Sequence, residues 1–108
     1  MPGTAVVGLQ ALVIANGAST SNAITNLDDS WAISIYSPAT FTGTISVQIE
    51  PSSSGTDFVT LQSGGTDVTL NTAKAIVINP ITFKQLRLIS GAAEGQTDTF
   101  QVTKTILV

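Results

Sequence analysis

Trp31-Ala-Ile-Ser-Ile-Tyr36 is a stretch in which the tryptophan and two isoleucines alternate with three other residues. Successive side chains of a β-strand point to opposite faces, so these three large apolar side chains share one face. The same alternation recurs at residues 43–50, 83–90 and 99–103. Thr, Val and Ile dominate such segments and fit a pleated sheet better than a helix. The pattern therefore predicts an all-β chain.

Turn residues separate these segments at the short intervals typical of antiparallel strands. The pair Gly64-Gly65 predicts a tight hairpin between 58–62 and 67–71, because glycine adopts the positive φ that such turns require. We predict an antiparallel β-sandwich, jelly-roll-like, of about eight strands. These predicted strands lie near residues 5–14, 31–36, 43–50, 58–62, 67–71, 75–78, 84–90 and 97–108.

The length and composition limit the classes of protein that the chain can belong to. With 108 residues it is near the usual size of one domain, so we predict a single β-sandwich domain over 1–108. Residues 1–30 are interpreted as part of it or as an N-terminal arm or swapped strand plus loop. Histidine and cysteine are absent, which removes imidazole bases, thiol nucleophiles and the usual zinc and haem ligands. We expect no enzyme activity, no catalytic residue, no cofactor and no bound metal.

The chain has few charged residues, and its charge and hydropathy patterns argue against nucleic-acid and membrane partners. Charged residues make up 10% of the chain, against roughly 25% in ordinary globular proteins. Four basic residues scattered through a chain of net charge −3 do not form a nucleic-acid surface. The apolar runs at 5–9 and 11–15 fall short of the roughly twenty residues of a membrane span. Because residues 1–4 lack a basic side chain, we expect no secretory signal and synthesis in the cytoplasm. We also expect no membrane partner and no small-molecule substrate.

Both ends of the chain are apolar without alternation, whereas a strand with one solvated face alternates. Their second face must be covered either by neighbouring subunits or by a central position inside the fold, and the pattern does not separate these two. The candidate interface residues, toward another subunit or another partner protein, are Val6, Val7, Leu9, Ile106, Leu107 and Val108.

Aromatic and acidic residues give weaker signals. Trp31 and Phe100 lie on the apolar side of their strands, so we predict that both are core residues. Tyr36 lies on the opposite side and is the candidate exposed aromatic, which would suit a sugar-binding surface. Asp28-Asp29 precedes a strand and is interpreted as a turn, not as a calcium site or an acid/base pair.

The order of phrases along the chain resembles small structural proteins of tailed bacteriophages, in particular capsid decoration (cement) proteins. That resemblance implies a jelly-roll-like sandwich, a homotrimer, and attachment to the major capsid protein on the outer surface of the phage head, which the trimer stabilises. The alternative is a tail, fibre or baseplate module that binds a receptor or glycan. The phrases that carry the resemblance are Tyr36-Ser-Pro38, Phe41–Glu50, Phe58–Gly65, Ala73–Pro80 and Phe83–Ala93.

Overall fold

The alternating segments form β-strands, and the all-β prediction is confirmed. A computed structural model describes residues 3–108. Leu27–Asp29 forms a short 3-10 helix, and residues 3–108 contain no helix with the length and hydropathy needed to span a membrane. The strands are β1 (Thr4–Gly8), β2 (Leu12–Ile14), β3 (Ala32–Tyr36), β4 (Ile45–Glu50), β5 (Val59–Thr60), β6 (Gln62–Ser63), β7 (Thr66–Asp67), β8 (Thr69–Leu70), β9 (Ala75–Ile78), β10 (Gln85–Ser90) and β11 (Asp98–Leu107).

The first sheet has the order β1-β11-β3-β9, and every neighbouring pair is antiparallel. Strand β2 also pairs with β11, end to end with β1 along the same edge. The register shifts by one residue between them, since Gly8 lies opposite Thr103 whereas Leu12 lies opposite Phe100. The single strand predicted over 5–14 is therefore two strands with a break between them.

The second sheet has the order β10-β4-β5, with β8 also pairing with β4. Isolated bridges join Thr20 to Ile89 and Ile24 to Leu86, so the segment before the 3-10 helix runs along β10. Strands β6 and β7 form the predicted hairpin, in which Gly64 and Gly65 have φ of 61° and 82°. These positive angles explain why two glycines occupy the turn.

The core lies between the inner faces of the two sheets. Ile33 and Ile35 of β3 are fully buried, as are Phe100 of β11 and Leu88 of β10. The remaining buried apolar residues of the same cluster are Leu12, Ile14, Ile24, Leu27, Ile45, Val47, Leu70, Ile78, Phe83, Leu86 and Val102.

The prediction that Trp31 is a core residue is wrong, because its side chain is 49% exposed. Trp31 lies just before β3, and its N–H donates to the Thr105 oxygen at 2.8 Å. This places it beside the C-terminal half of β11, and Val7 of the adjacent β1, on the same inner side of the sheet, is 37% exposed. The inner side of the first sheet is therefore only partly covered at this end, so correct alternation did not ensure burial.

Candidate interaction surface

The first sheet has an outer face that carries no charged side chain. Directly paired residues on neighbouring strands point to the same side of a sheet. Since Ile33, Ile35 and Phe100 are in the core, the alternate positions point outward. We define the outer face by these residues: Thr4, Val6, Gly8, Ala32, Ser34, Tyr36, Ala75, Val77, Thr99, Gln101, Thr103, Thr105 and Leu107.

Large apolar side chains stand exposed on this outer face. Val6 is 71% exposed, Val77 67%, Leu107 63% and Tyr36 45%. They lie on β1, β9, β11 and β3 and are separated by hydroxyl and amide side chains. A surface of this kind loses no charge solvation when another protein covers it.

The nearest ion pair lies on the opposite side of the same sheet. Lys104 of β11 is paired with Ile33, so it belongs to the inner side. Its Nζ lies 2.9 Å from Oδ2 of Asp29. The hydrogen bond from Lys104 lowers the pKa of Asp29, despite the opposing effect of burial. The cation of β11 is therefore directed away from the outer face.

The candidate interface residues come together although they lie at opposite ends of the sequence. Strand β1 carries Val6 and Val7 and pairs with the last residues of β11, and Val108 donates its N–H to the Gly3 oxygen at 3.0 Å. Leu9 and Ile106 are partly buried, and the other four are exposed. Tyr36 also lies on the outer face, at the opposite end of β3 from Trp31.

A groove of about 360 Å³ lies between β9 and the β6–β7 hairpin. Leu61 and Val68 line one side of it, and Ile76 to Ile78 of β9 line the other. Sequence reasoning missed the groove, because it forms only when the hairpin packs beside a strand from a later part of the chain.

One buried carboxylate, Glu50, organises the serine-rich loop that follows β4. The N–H groups of Gly55 and Asp57 donate to it at 2.9 and 2.8 Å, and the Gln85 side-chain amide donates at 2.8 Å. Burial raises its pKa, but the hydrogen bonds from Asp57, Gly55 and Ser54 outweigh burial and lower the pKa below its ordinary value. Glu50 therefore acts as an acceptor that holds the loop.

A second buried carboxylate, Glu94, connects two loops. Its oxygens accept the N–H groups of Thr42 and Gly43 at 2.6 and 2.8 Å and the Ser90 hydroxyl at 2.6 Å. Burial opposes ionisation, but these bonds and a hydrogen bond with Asp98 lower the pKa of Glu94 to about 2. Every oxygen of Glu94 is thus engaged in holding the backbone.

Asp98 lies beside Glu94, and its pKa is shifted in the opposite direction. It is 1% exposed, and its Oδ2 is buried without a hydrogen-bond donor among residues 3–108. Burial and the neighbouring Glu94 carboxylate raise the pKa of Asp98. When the pair holds a single proton, that proton is therefore on Asp98. Residues 3–108 contain no cluster of three or more acidic side chains suited to a metal ion.

No protein-family model and no curated protein matches the chain. Among the solved structures that are similar to the chain, two align with it across almost its full length. The SPBc2 prophage-derived protein YomS superimposes with a TM-score of 0.66 at 10% identity, covering 97% of this chain and 95% of that one. This chain has the same fold.

A second similar structure comes from Bacillus endospore appendages, described as a novel family of disulfide-linked pili. It superimposes with a TM-score of 0.53 at 15% identity, covering 99% of this chain and 88% of that one. At these identities the similarity to both structures establishes the fold of the chain, and function has to be argued from its surface.

Proposed function

We propose that this chain is a structural subunit of a phage-related particle. In the finer form of the proposal it is a decoration protein, which binds the major capsid protein on the outer surface of the head as a homotrimer and stabilises the head. The observation that carries the proposal is the uncharged outer face of the first sheet. The fold shared with a prophage-derived protein and with a pilus protein supports it.

The outer face suits many weak, repeated contacts better than a single ligand. Each apolar side chain covered by a partner contributes roughly 25 cal/mol per Å² of buried area. Four such side chains on one face give a modest contact, and a particle that repeats the contact over a lattice adds avidity. No titrating group is needed for binding of this kind.

The proposal assigns no catalytic role to the acidic residues. Glu50 and Glu94 both use their oxygens to accept hydrogen bonds from nearby backbone and hydroxyl groups. An acid/base pair needs free oxygens that reach a substrate. These carboxylates instead fix the loops of the sandwich.

The test is to locate the protein on particles made by the phage or bacterium that encodes it. Purified particles are analysed by quantitative mass spectrometry, and gold-labelled antibody against the chain locates it by electron microscopy. We expect a copy number in fixed ratio to the major capsid protein and labelling over the head. Absence from purified particles would overturn the proposal, and labelling confined to the tail would overturn its decoration form.

A receptor- or glycan-binding module of the tail, fibre or baseplate is the second candidate, favoured by the exposure of Tyr36. The other exposed aromatic, Trp31, lies about 16 Å away along β3 at roughly 3.3 Å per residue, so the two do not form one stacking platform. The chain has one Trp and one Tyr, which makes intrinsic fluorescence a clean reporter. A saturable change on titration with cell-wall saccharides would favour this candidate, and no change would favour decoration.

A further inference from the structure

The first sheet has two open edges. Within residues 3–108, β1 pairs with β11 alone and β9 pairs with β3 alone. Proteins commonly block such edges with charged side chains, but neither Thr4–Gly8 nor Ala75–Ile78 contains one. Both edges are therefore available to a further strand.

On β1, the backbone groups that point away from the sheet belong to residues 4, 6 and 8. Gly3 and Val108 exchange two backbone hydrogen bonds, at 3.2 and 3.0 Å, and the Leu9 N–H donates to the Val102 oxygen at 2.9 Å. Antiparallel bonding alternates along a strand, so residues 3, 5, 7 and 9 face β11. The N–H and C=O of Val6 lie at the centre of the open edge.

On β9, the corresponding outward residues are Ala75 and Val77. The Ser37 N–H donates to the Lys74 oxygen at 3.0 Å, and the register places Ile76 opposite Ile35. Residues 74, 76 and 78 therefore face β3, and the N–H of Val77 faces away from it.

The two open edges match in direction and in face. Four successive antiparallel strands make β1 and β9 run in opposite directions, so copies in a common orientation bring β1 antiparallel to β9 of the next copy. Val6 then lies opposite Val77, with both side chains on the outer face. Thr4 lies opposite Asn79 and Gly8 opposite Ala75 in the same register, so no like charges meet.

The groove beside β9 provides room for the incoming strand. Ala5 and Val7 point to the inner side of β1, and Val7 is 37% exposed in the isolated chain. In the joined sheet these side chains enter the 360 Å³ groove, toward Leu61 and Val68 of the neighbouring copy. Small apolar side chains thus meet an apolar wall.

We propose that β1 of one copy adds to β9 of the next, so that identical subunits join head to tail through one continuous sheet. A head-to-tail contact closes into a ring or continues as a filament, and closure after three copies gives the homotrimer. The inference rests on the self-association part of the proposed function. To that proposal it adds that β1 and β9 make the contact and that the outward backbone groups of Val6 and Val77 form the hydrogen bonds.

Proline substitution tests the contact at its backbone. Val6→Pro and Val77→Pro each remove one outward N–H, a position where an edge strand tolerates proline. Molar mass is measured by light scattering on the purified full chain. We expect an oligomer for the unaltered chain, a monomer for each variant alone, and a two-chain complex when the variants are mixed in equal amounts. Mixing restores one contact, because Val77→Pro retains an intact β1 and Val6→Pro retains an intact β9.

Val6→Thr and Val77→Thr are the matched controls, since threonine keeps the N–H and the branched shape. Both should keep the mass of the unaltered chain. Circular dichroism checks the fold, and Thr4→Pro replaces Val6→Pro if that variant unfolds. An unaltered chain that is monomeric up to millimolar concentration overturns self-association as a whole. An oligomer that persists in either proline variant overturns only the pairing of β1 with β9.

Discussion

The loops and the first sheet differ in whether their polar groups have hydrogen-bond partners within the chain. Glu50 at the end of β4 and Glu94 in a loop are both buried, and each accepts hydrogen bonds from the backbone of a nearby loop. On the first sheet, charge is absent from the outer face, and the N–H groups of Val6 and Val77 have no partner within residues 3–108. In the isolated chain the buried carboxylates at the loops have their hydrogen-bond donors, whereas the edge strands of the first sheet still have unpaired backbone groups.

This difference separates the residues that hold the fold from those available to partners. A buried charge that already has its donors gains nothing from a second protein. An uncharged sheet with open edges gains both hydrogen bonds and apolar burial when it is covered. Substitutions in the two regions should therefore affect different measurements.

The largest effect on stability is expected for Phe100→Ala. Phe100 is fully buried at the centre of the core, and a Phe→Ala change there costs about 3–5 kcal/mol. The half-exposed Trp31 provides the matched comparison, and Trp31→Ala should cost no more than about 1 kcal/mol. Urea unfolding measures both values. Similar losses for the two aromatics would contradict the exposure assigned to Trp31.

The loops should be sensitive to a single methyl group at Gly43. A Cβ there would lie 2.9 Å from the Ala92 nitrogen and 3.3 Å from a Glu94 oxygen. We expect Gly43→Ala to cost about 1–3 kcal/mol, as overpacking does. Gly8→Ala is the control, because a Cβ at Gly8 meets nothing within 4 Å. Thermal melts that rank the two variants in the reverse order would contradict the close packing around Glu94.

The Glu94–Asp98 pair gives a pH-dependent effect. The lowered pKa of Glu94 makes its ionised form stabilising above pH 4.5, and that contribution is lost as pH falls toward 2. The raised pKa of Asp98 acts in the opposite sense: its contribution is complete below pH 3.8 and is lost as pH rises through the folded value.

Asp98→Asn removes the second contribution, and the first is kept because the asparagine amide can donate to Glu94 in place of the Asp98 carboxyl. The melting temperature of the variant, relative to the unaltered chain, should therefore be higher at pH 7 than at pH 3. Asp29→Asn is the control on an exposed carboxylate whose pKa is lowered, and its relative melting temperature should change with pH in the opposite direction. A difference for Asp98→Asn that does not vary with pH would rule out the raised pKa.

Most of the fold could be predicted, because alternation and turn chemistry are local signals. The strands at 32–36, 45–50, 75–78 and 85–90 agree with the prediction to within two residues, and so does the hairpin at Gly64-Gly65. The break between β1 and β2 was missed, because a one-residue register shift leaves no mark in a segment that is apolar on both faces. The prediction for Trp31 was wrong because alternation indicates which face of a strand a side chain occupies. It does not indicate whether another part of the protein covers that face.

The surface could be predicted only in part. The apolar character of both chain ends was visible, but their pairing in one sheet depends on the path of the chain between them. Glu50 and Glu94 were not singled out, since their donors come from the backbone of loops whose shape the sequence does not state. The absence of charge on the outer face could not be predicted either, because it depends on β1, β3, β9 and β11 lying side by side.

The smallest effect on stability, and the most informative about function, is expected for Leu107→Lys. Leu107 is 63% exposed on the outer face, so a lysine there should change the free energy of unfolding by no more than about 0.5 kcal/mol. Val59, on the second sheet, is 58% exposed, so Val59→Lys is a control of equal chemistry. On particles, Leu107→Lys should lower the copy number several-fold, because binding then requires desolvation of a charge, while Val59→Lys should leave it unchanged. Equal occupancy for the two variants would show that the outer face is not the surface that the particle covers.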